Sequence, residues 1–420
     1  MTSEENRIRA WQPEPHPEWL DTVNREAEAF LLDEVVPLDA ESLLRSAQRR
    51  TGLTDFGDDH WREPFQLLTE ALQKEAELTL MGRLATRNEL VLWLSNRLQV
   101  EALCKAHPEI EQTPVRAPVF IVGLPRSGTS ILYELLAQDP RFRVPASWEA
   151  LFPCPPLPDE GDDEARRHQA HQMLTQWGRL APEYVTMHEM GADIPCECGM
   201  LTAHTFLSDH IAALIQSPSY HGLLATADME PVYRYHRRLL QVLQWRRGAD
   251  HWLLKAPAHL GHLETLFKVY PDARVIQTHR DPIKSMASAT SLLGTLYWTR
   301  SDQHFEASLF EDLMLGEATA SRLEAVMALR DGGQVPEGQI TDSRYQDLID
   351  DPEGTVARLY RWMGLSFGST ESDRVHNYLT HKPKGKHGVH RYREPGPEQV
   401  ARERPLFQAY QQRYRVPDEI

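Results

Sequence analysis

Between residues about 15 and 112, apolar positions recur at three- and four-residue spacing, as in Ala40-Glu-Ser-Leu-Leu44 and Phe65-Gln-Leu-Leu-Thr-Glu-Ala-Leu72. That is the period of helices with one buried face. Gly52-Leu-Thr-Asp-Phe-Gly-Asp-Asp59 breaks it with turn formers. From Pro118 the pattern changes: short apolar runs alternate with amphipathic stretches, the layout of a parallel sheet covered by helices. Strands are expected at 119–122, 252–254 and 273–278, with a less apolar fourth at 339–344. A helix through Ile131, Leu132, Leu135 and Leu136 should stop at Asp139-Pro140. Another, through Val356, Leu359, Tyr360 and Met363, should start at Asp351-Pro352, a capping residue followed by proline at the first helical position, and end at Gly364. Residues about 153–248 have mostly helical character and are too long for a simple crossover, so they read as a lid or substrate-binding insertion. The chain thus divides into a helical N-terminal extension, 1–112, and an α/β domain, 113–420, with a central parallel sheet.

Composition narrows the possibilities. The 420 residues are 41% hydrophobic and 25% charged, ordinary for a globular protein. A net charge of −16 argues against a nucleic-acid surface, which needs a basic stripe, and requires any anion site to be locally basic. Met1-Thr-Ser-Glu-Glu-Asn6 lacks the layout of a signal peptide, and no run of about 18 apolar residues offers a membrane span. Four cysteines in so long a chain make no disulfide scaffold, so a cytoplasmic, reduced protein is expected. Cys196-x-Cys198 has no second cysteine pair at zinc-finger spacing and is not read as a metal site. The N-terminal helices suit a helical cap or an oligomerisation arm, which leaves a homo-oligomer open.

Gly123-Leu-Pro-Arg-Ser-Gly-Thr-Ser130 follows the first strand directly. The spacing matches a phosphate cradle, in which successive backbone N–H groups wrap an anion at a helix N-terminus. Thr129 stands where a triphosphate-binding loop has lysine, and the positive charge sits inside the loop at Arg126. Such a loop suits a nucleotide whose 5′ end carries a shorter, doubly charged group. Lys255 and Arg280 end the second and third expected strands, and open parallel sheets bind ligands beyond such ends. In His279-Arg-Asp-Pro-Ile-Lys-Ser-Met-Ala-Ser288, Asp281 and Pro282 should start a helix, with Ser285 and Ser288 on one face. Arg280 and Ser288 could then hold one phosphate from two sides.

These residues together resemble the PAPS-dependent sulfotransferases, in their bacterial branch. The cradle is similar to the family's 5′-phosphosulfate loop, and Arg280 with Ser288 to its 3′-phosphate motif. Leu253-Leu-Lys-Ala-Pro-Ala-His259 resembles the family's Lys-x-Pro segment. Tyr345-Gln-Asp-Leu-Ile-Asp-Asp-Pro352, followed by Trp362-Met-Gly-Leu365, resembles its Tyr-Glu-Asp-Leu stretch, with Gln346 in place of the usual glutamate. Lys384-Gly385-Lys386 only loosely matches the Arg-Lys-Gly element that closes over the 3′-phosphate. The resemblance runs from about Pro118 to Tyr392. It implies a three-layer P-loop-like fold and transfer of a sulfuryl group from 3′-phosphoadenosine 5′-phosphosulfate (PAPS) to an acceptor hydroxyl or, less commonly, amine. By the same resemblance Arg126, Ser127, Gly128, Thr129 and Ser130 would hold the 5′ end, with Arg280, Ser288, Tyr345, Lys384, Gly385 and Lys386 completing the nucleotide site. Lys255 would neutralise the leaving phosphate, and no metal is required.

The family uses histidine or glutamate as the base that takes the acceptor's proton. Glu197, among apolar residues in Ile194-Pro-Cys-Glu-Cys198, is expected to have its pKa raised by desolvation into a base's working range. Glu149, in Ala146-Ser-Trp-Glu149, is the alternative, followed by His204 and His259. Two other readings of the cradle are a small-molecule kinase, against which Thr129 and a missing Walker-B acid speak, and a nucleotide-binding protein without catalysis. Trp177, Tyr184, Met187, Met190, Met200, Phe206, Tyr220 and Tyr233 in the insertion could line a pocket for a small or lipid-like acceptor, though such residues also build cores.

Overall fold

The computed structural model describes residues 14–155, 163–245, 247–248, 251–303, 305, 316–382, 390, 392 and 394–420. Lys384, Gly385 and Lys386 lie outside them. Five parallel strands form one sheet in the order β2-β3-β1-β4-β5. They are β1 (Val119–Gly123), β2 (Phe142–Arg143), β3 (His251–Lys255), β4 (Arg274–His279) and β5 (Ile340–Arg344). The helices that frame the site are α1 (Leu80–Ala106), α2 (Thr129–Leu136), α3 (Asp163–Leu180), α4 (Glu230–Gln244), α5 (Pro282–Trp298), α6 (Pro352–Met363) and α7 (Pro397–Tyr414).

Strand alternation sorts the core into two faces. Val119 and Ile121 point to a cluster with Leu132, Leu136, Val356 and Leu359 of α2 and α6. Phe120 and Val122 point the other way, to Leu239, Leu240, Leu266 and Phe407. A sheet buried on both faces is the condition for parallel pairing, and the result is three layers. Asp351 caps α6 by accepting from the Gly354 N–H at 2.9 Å, and the helix stops at Gly364, which takes φ 73°. β2, two residues long, is an addition that no alternation in the sequence announces.

The N-terminal helices do not pack on the sheet first. Trp61, Phe65 and Trp93 form one apolar cluster with Phe206, Ile211 and Tyr220 of the insertion, and the Phe65 and Phe206 rings lie 4.8 Å apart. Phe206, Tyr220 and Tyr233 are therefore core residues, at 0%, 1% and 3% exposure, rather than pocket lining. Met190, Met200 and Trp177 instead border a narrow cavity with Trp93, His210 and Arg300.

β1 lies between β3 and β4, so the loops leaving these three strands open side by side. In the register, Ile121 pairs with Lys255, and Gly123 with Thr278. The cradle, Lys255 and Arg280 come to one edge of the sheet because three adjacent strands end there.

Candidate active site

The loop after β1 turns through three positive φ angles: Gly123 at 152°, Arg126 at 66° and Gly128 at 94°. Glycine adopts this region freely, whereas at Arg126 it costs about 1 kcal/mol. A Cβ on Gly128 would lie 2.7 Å from Tyr345 Cδ2, so only glycine lets that ring cover the loop. α2 begins at Thr129, with Gly128 as its N-cap. The first N–H groups of such a helix have no intrahelical acceptor and carry the positive end of its dipole. Ser127 does not face outward. Its hydroxyl donates to the Leu124 carbonyl at 2.6 Å and sits 2.6 Å from the Thr278 hydroxyl, while its N–H also donates to Leu124. Its side chain shapes the cradle, and Thr278, not singled out in the sequence, braces it.

Arg126 reaches across to α5. Its Nε donates to Ser288 Oγ at 3.1 Å and its Nη1 to the Met187 carbonyl at 3.1 Å. Arg280 Nη1 donates to the Arg126 carbonyl at 3.0 Å, and its guanidinium lies 4.0 Å from the Tyr345 ring centre. Arg126, Arg280, Ser288 and Tyr345 thus share one cluster. The remaining Arg280 donors, Nε and Nη2, go to Glu419, at 2.8 and 2.7 Å. Asp281, fully buried, caps α5 through the Ile283 N–H. His390 joins the cluster, with Nε2 3.1 Å from Ser291 Oγ and Nδ1 3.4 Å from Ser288 Oγ. Burial, and then the charge of Arg126, hold the His390 imidazole down to about 4.

A second cluster lies at the end of β3. Lys255, 2% exposed, donates to Ser130 Oγ at 3.2 Å and pairs with the Glu197 carboxylate. Two contacts fix the segment carrying Glu197: the Cys196 N–H donates to the Pro145 carbonyl at 2.8 Å, and Tyr133 donates to the Cys196 carbonyl at 3.1 Å. On the other side of Glu197, His188 Nε2 lies 3.8 Å from its Oε1. His188 Nδ1 is 2.9 Å from the Glu189 carbonyl. A carbonyl only accepts, so Nδ1 bears the hydrogen and Nε2 keeps a lone pair in the neutral ring.

The profile of the sulfotransferase family matches residues 118–369, more than half of the chain. The chain belongs to the sulfotransferase family. Among solved structures it is similar to sulfotransferase STF9 from Mycobacterium avium, with 28% identity, a TM-score of 0.72 and coverage of 91% of this chain and 98% of that one. It is also similar to sulfotransferase STF1 from Mycobacterium tuberculosis H37Rv, with 31% identity, a TM-score of 0.69 and coverage of 89% and 98%. The omega-hydroxy-beta-dihydromenaquinone-9 sulfotransferase Stf3 of Mycobacterium bovis is 26% identical over 280 residues, taking in 62% of this chain and 66% of the relative.

For a sulfotransferase, the placement of the acids is decisive. Glu197 was expected to have its pKa raised by burial, but the net shift is the reverse. Burial pushes the carboxyl up, but influences led by the Lys255 ammonium more than offset it, so the group stays well below the usual carboxylate range. Glu149, the alternative base candidate, is held elsewhere, by two arginines and a backbone N–H. Its Oε1 accepts from Arg143 at 3.0 Å and Arg247 at 3.3 Å, and its Oε2 from the Ala146 N–H at 3.1 Å. Glu149→Gln should keep near-normal turnover and lower stability by about 1–3 kcal/mol, since Arg143 loses its charged partner; thermal unfolding and an activity assay check both halves. The two histidines named as bases are also placed in the core. His204 is fully buried, with Nε2 2.9 Å from Asn96 Nδ2 and Nδ1 3.0 Å from the Leu201 carbonyl, and burial holds it down to about 4. His259 is buried against Tyr233, 2.6 Å away.

Proposed function

We propose that the protein transfers the sulfuryl group of PAPS to the hydroxyl of a lipid-like alcohol, releasing adenosine 3′,5′-bisphosphate. The observation that carries this is the row Ser130–Lys255–Glu197–His188, which runs from the mouth of the phosphate cradle to a histidine. The acceptor oxygen forms a bond to sulfur as the bond from sulfur to the bridging phosphate oxygen breaks. The acceptor proton goes to His188 Nε2, and Glu197, kept ionised by Lys255, stabilises the imidazolium that results. Lys255 and Arg126 supply positive charge for the leaving phosphate, by the logic of other transfers from phosphate esters. Arg280 and Ser288, with the Tyr345 ring over the guanidinium, hold the 3′ end of the nucleotide. Two facts support a lipid-like acceptor: the similarity to a sulfotransferase named for a hydroxylated menaquinone, and the methionine- and tryptophan-lined cavity between α1 and α3. That cavity measures about 70 Å³, so a long acceptor chain needs α3 to give way. All four cysteines are free, which fits the cytoplasmic reading. Among the described residues, no helix is long and apolar enough to cross a membrane.

His188→Gln should lower kcat by about 10²–10⁴-fold, the usual worth of a positioned base, with little change in KM for PAPS. Equal activity in the wild type and this variant would reject His188 as the base. His390 offers a pH test of the donor site. In the free protein it is neutral above about pH 4. A phosphate beside it raises its pKa, so binding of adenosine 3′,5′-bisphosphate should take up a proton and strengthen as pH falls through the complex's value. Calorimetry in buffers of different ionisation enthalpy measures the uptake, and His390→Ala should abolish it.

A further inference from the structure

The arginine assigned to the nucleotide's 3′-phosphate already carries an anion from the chain itself. Glu419 takes Arg280 Nε on both oxygens, at 2.8 and 3.0 Å, and Nη2 on Oε2 at 2.7 Å. The pair is sheltered: the two side chains are 17% and 20% exposed. The segment bearing Glu419 is itself tied to the site. Its N–H donates to Asp281 Oδ2 at 2.8 Å, and Arg404 bridges both Asp281 oxygens, at 2.8 and 3.0 Å, to the Ile420 carbonyl at 2.7 Å. A second acid from the same end of the chain, Glu394, pairs with Lys284 in the first turn of α5. Two carboxylates from beyond residue 390 therefore pair with two cations, one of them the arginine of the donor cluster.

A fork of two N–H groups on one carboxylate is the geometry with which arginine also grips phosphate. Arg280 cannot present Nε and Nη2 to both at once. Its third contact, from Nη1 to the Arg126 carbonyl, and the Tyr345 ring over its face do not involve Glu419. The guanidinium plane can stay in place while its anion is exchanged. A groove of about 630 Å³, bordered by Arg404, Gln411, Val416 and Asp418, leaves the segment room to shift.

We propose that Glu419 is an intrachain stand-in for the 3′-phosphate, displaced when the nucleotide binds, so that segment 416–420 sets the donor's affinity and hastens release of adenosine 3′,5′-bisphosphate. This rests on the donor reading above. A phosphate monoester, with close to two negative charges and three acceptor oxygens, outcompetes one carboxylate but loses part of its binding energy to the exchange. A nucleotide lacking the 3′-phosphate has nothing to place on Arg280 and leaves the pair closed.

The test is calorimetric titration of the full chain with adenosine 3′,5′-bisphosphate and, separately, AMP, for the wild type, Glu419→Gln and Asp418→Asn. Asp418 pairs with Arg404 and not with Arg280. Glu419→Gln should bind the bisphosphate about tenfold tighter or more, since a charged competitor is gone, with AMP affinity unchanged and Asp418→Asn like the wild type. Weaker binding of the bisphosphate by Glu419→Gln would overturn the proposal and make Glu419 a residue that positions Arg280. Equal tightening toward AMP would overturn it too, as a general charge effect. Unfolding temperatures without ligand guard against a damaged fold. Should Glu419→Gln melt early, Glu419→Asp, too short for the two-oxygen fork, should still bind the bisphosphate tighter than the wild type, and failure to do so overturns the proposal. If the wild type binds no bisphosphate at all, the donor reading itself fails, an outcome separate from the others.

Discussion

Lys255→Met should lower kcat by about 10³-fold while leaving the affinity for adenosine 3′,5′-bisphosphate within a few-fold of the wild type, because two losses combine at one position. The first is the positive charge facing the leaving phosphate: Lys255 is buried beside Ser130 at the mouth of the cradle. The second is the ionisation of Glu197. Burial acts to raise that carboxyl, and the Lys255 ammonium is the leading influence that lowers it. Without the lysine the carboxyl's pKa rises, so the anion is lost as pH falls through the raised value. The residual activity of the variant should therefore fall off on the acid side at a higher pH than in the wild type, where Glu197 stays ionised. Methionine keeps the packing of the stem, so a cooperative unfolding transition should remain. A pH–rate profile with the same acid limb as the wild type would show that Lys255 does not control Glu197.

Arg126→Gly should weaken binding of adenosine 3′,5′-bisphosphate by about 10²-fold, the loss expected for charge-assisted hydrogen bonds to an anion, without destabilising the fold. The two effects separate because Arg126 occupies φ 66°, a region glycine enters freely. Relief of that strain offsets the lost contacts to Ser288 and the Met187 carbonyl. Arg126→Lys should recover only part of the binding: lysine retains the charge but not the planar fork, and it keeps the strained backbone. Calorimetry and thermal unfolding together read both quantities. Unchanged affinity in the glycine variant would remove Arg126 from the nucleotide site.

Much of the fold is legible in the chain because its signals are local. The apolar run at 119–122, the Asp351-Pro352 start and the Gly364 stop each act through neighbours a few residues away, and each element forms where those signals place it. The cradle is legible for the same reason, since Gly123 and Gly128 mark positive φ angles directly. Residues that depend on distant partners are not. Nothing near Glu149 or Glu197 reveals that one pairs with arginines of a loop and a strand and the other with Lys255. Burial alone suggested a raised Glu197, and only the fold brings the lysine that reverses it. His188 carries no motif, and the role proposed for it rests on the carbonyl that fixes its tautomer and the acid it faces. Glu419 meets Arg280 across 139 residues of sequence, beyond any pattern of spacing. The aromatic residues of the insertion show the same limit. Composition cannot separate Phe206, locked between Trp61 and Phe65, from Met190 and Met200 at the cavity wall.

The most direct measurement is incubation of the purified full chain with ³⁵S-labelled PAPS and a panel of long-chain isoprenoid alcohols, in the presence of EDTA, with nucleotide products quantified alongside. Sulfuryl transfer at this sheet edge predicts label in a lipid sulfate and one adenosine 3′,5′-bisphosphate released for each sulfate formed. Labelling of the same alcohols only from γ-³²P-ATP with magnesium, or tight binding of adenosine 3′,5′-bisphosphate with no label in any hydroxyl acceptor, would contradict it.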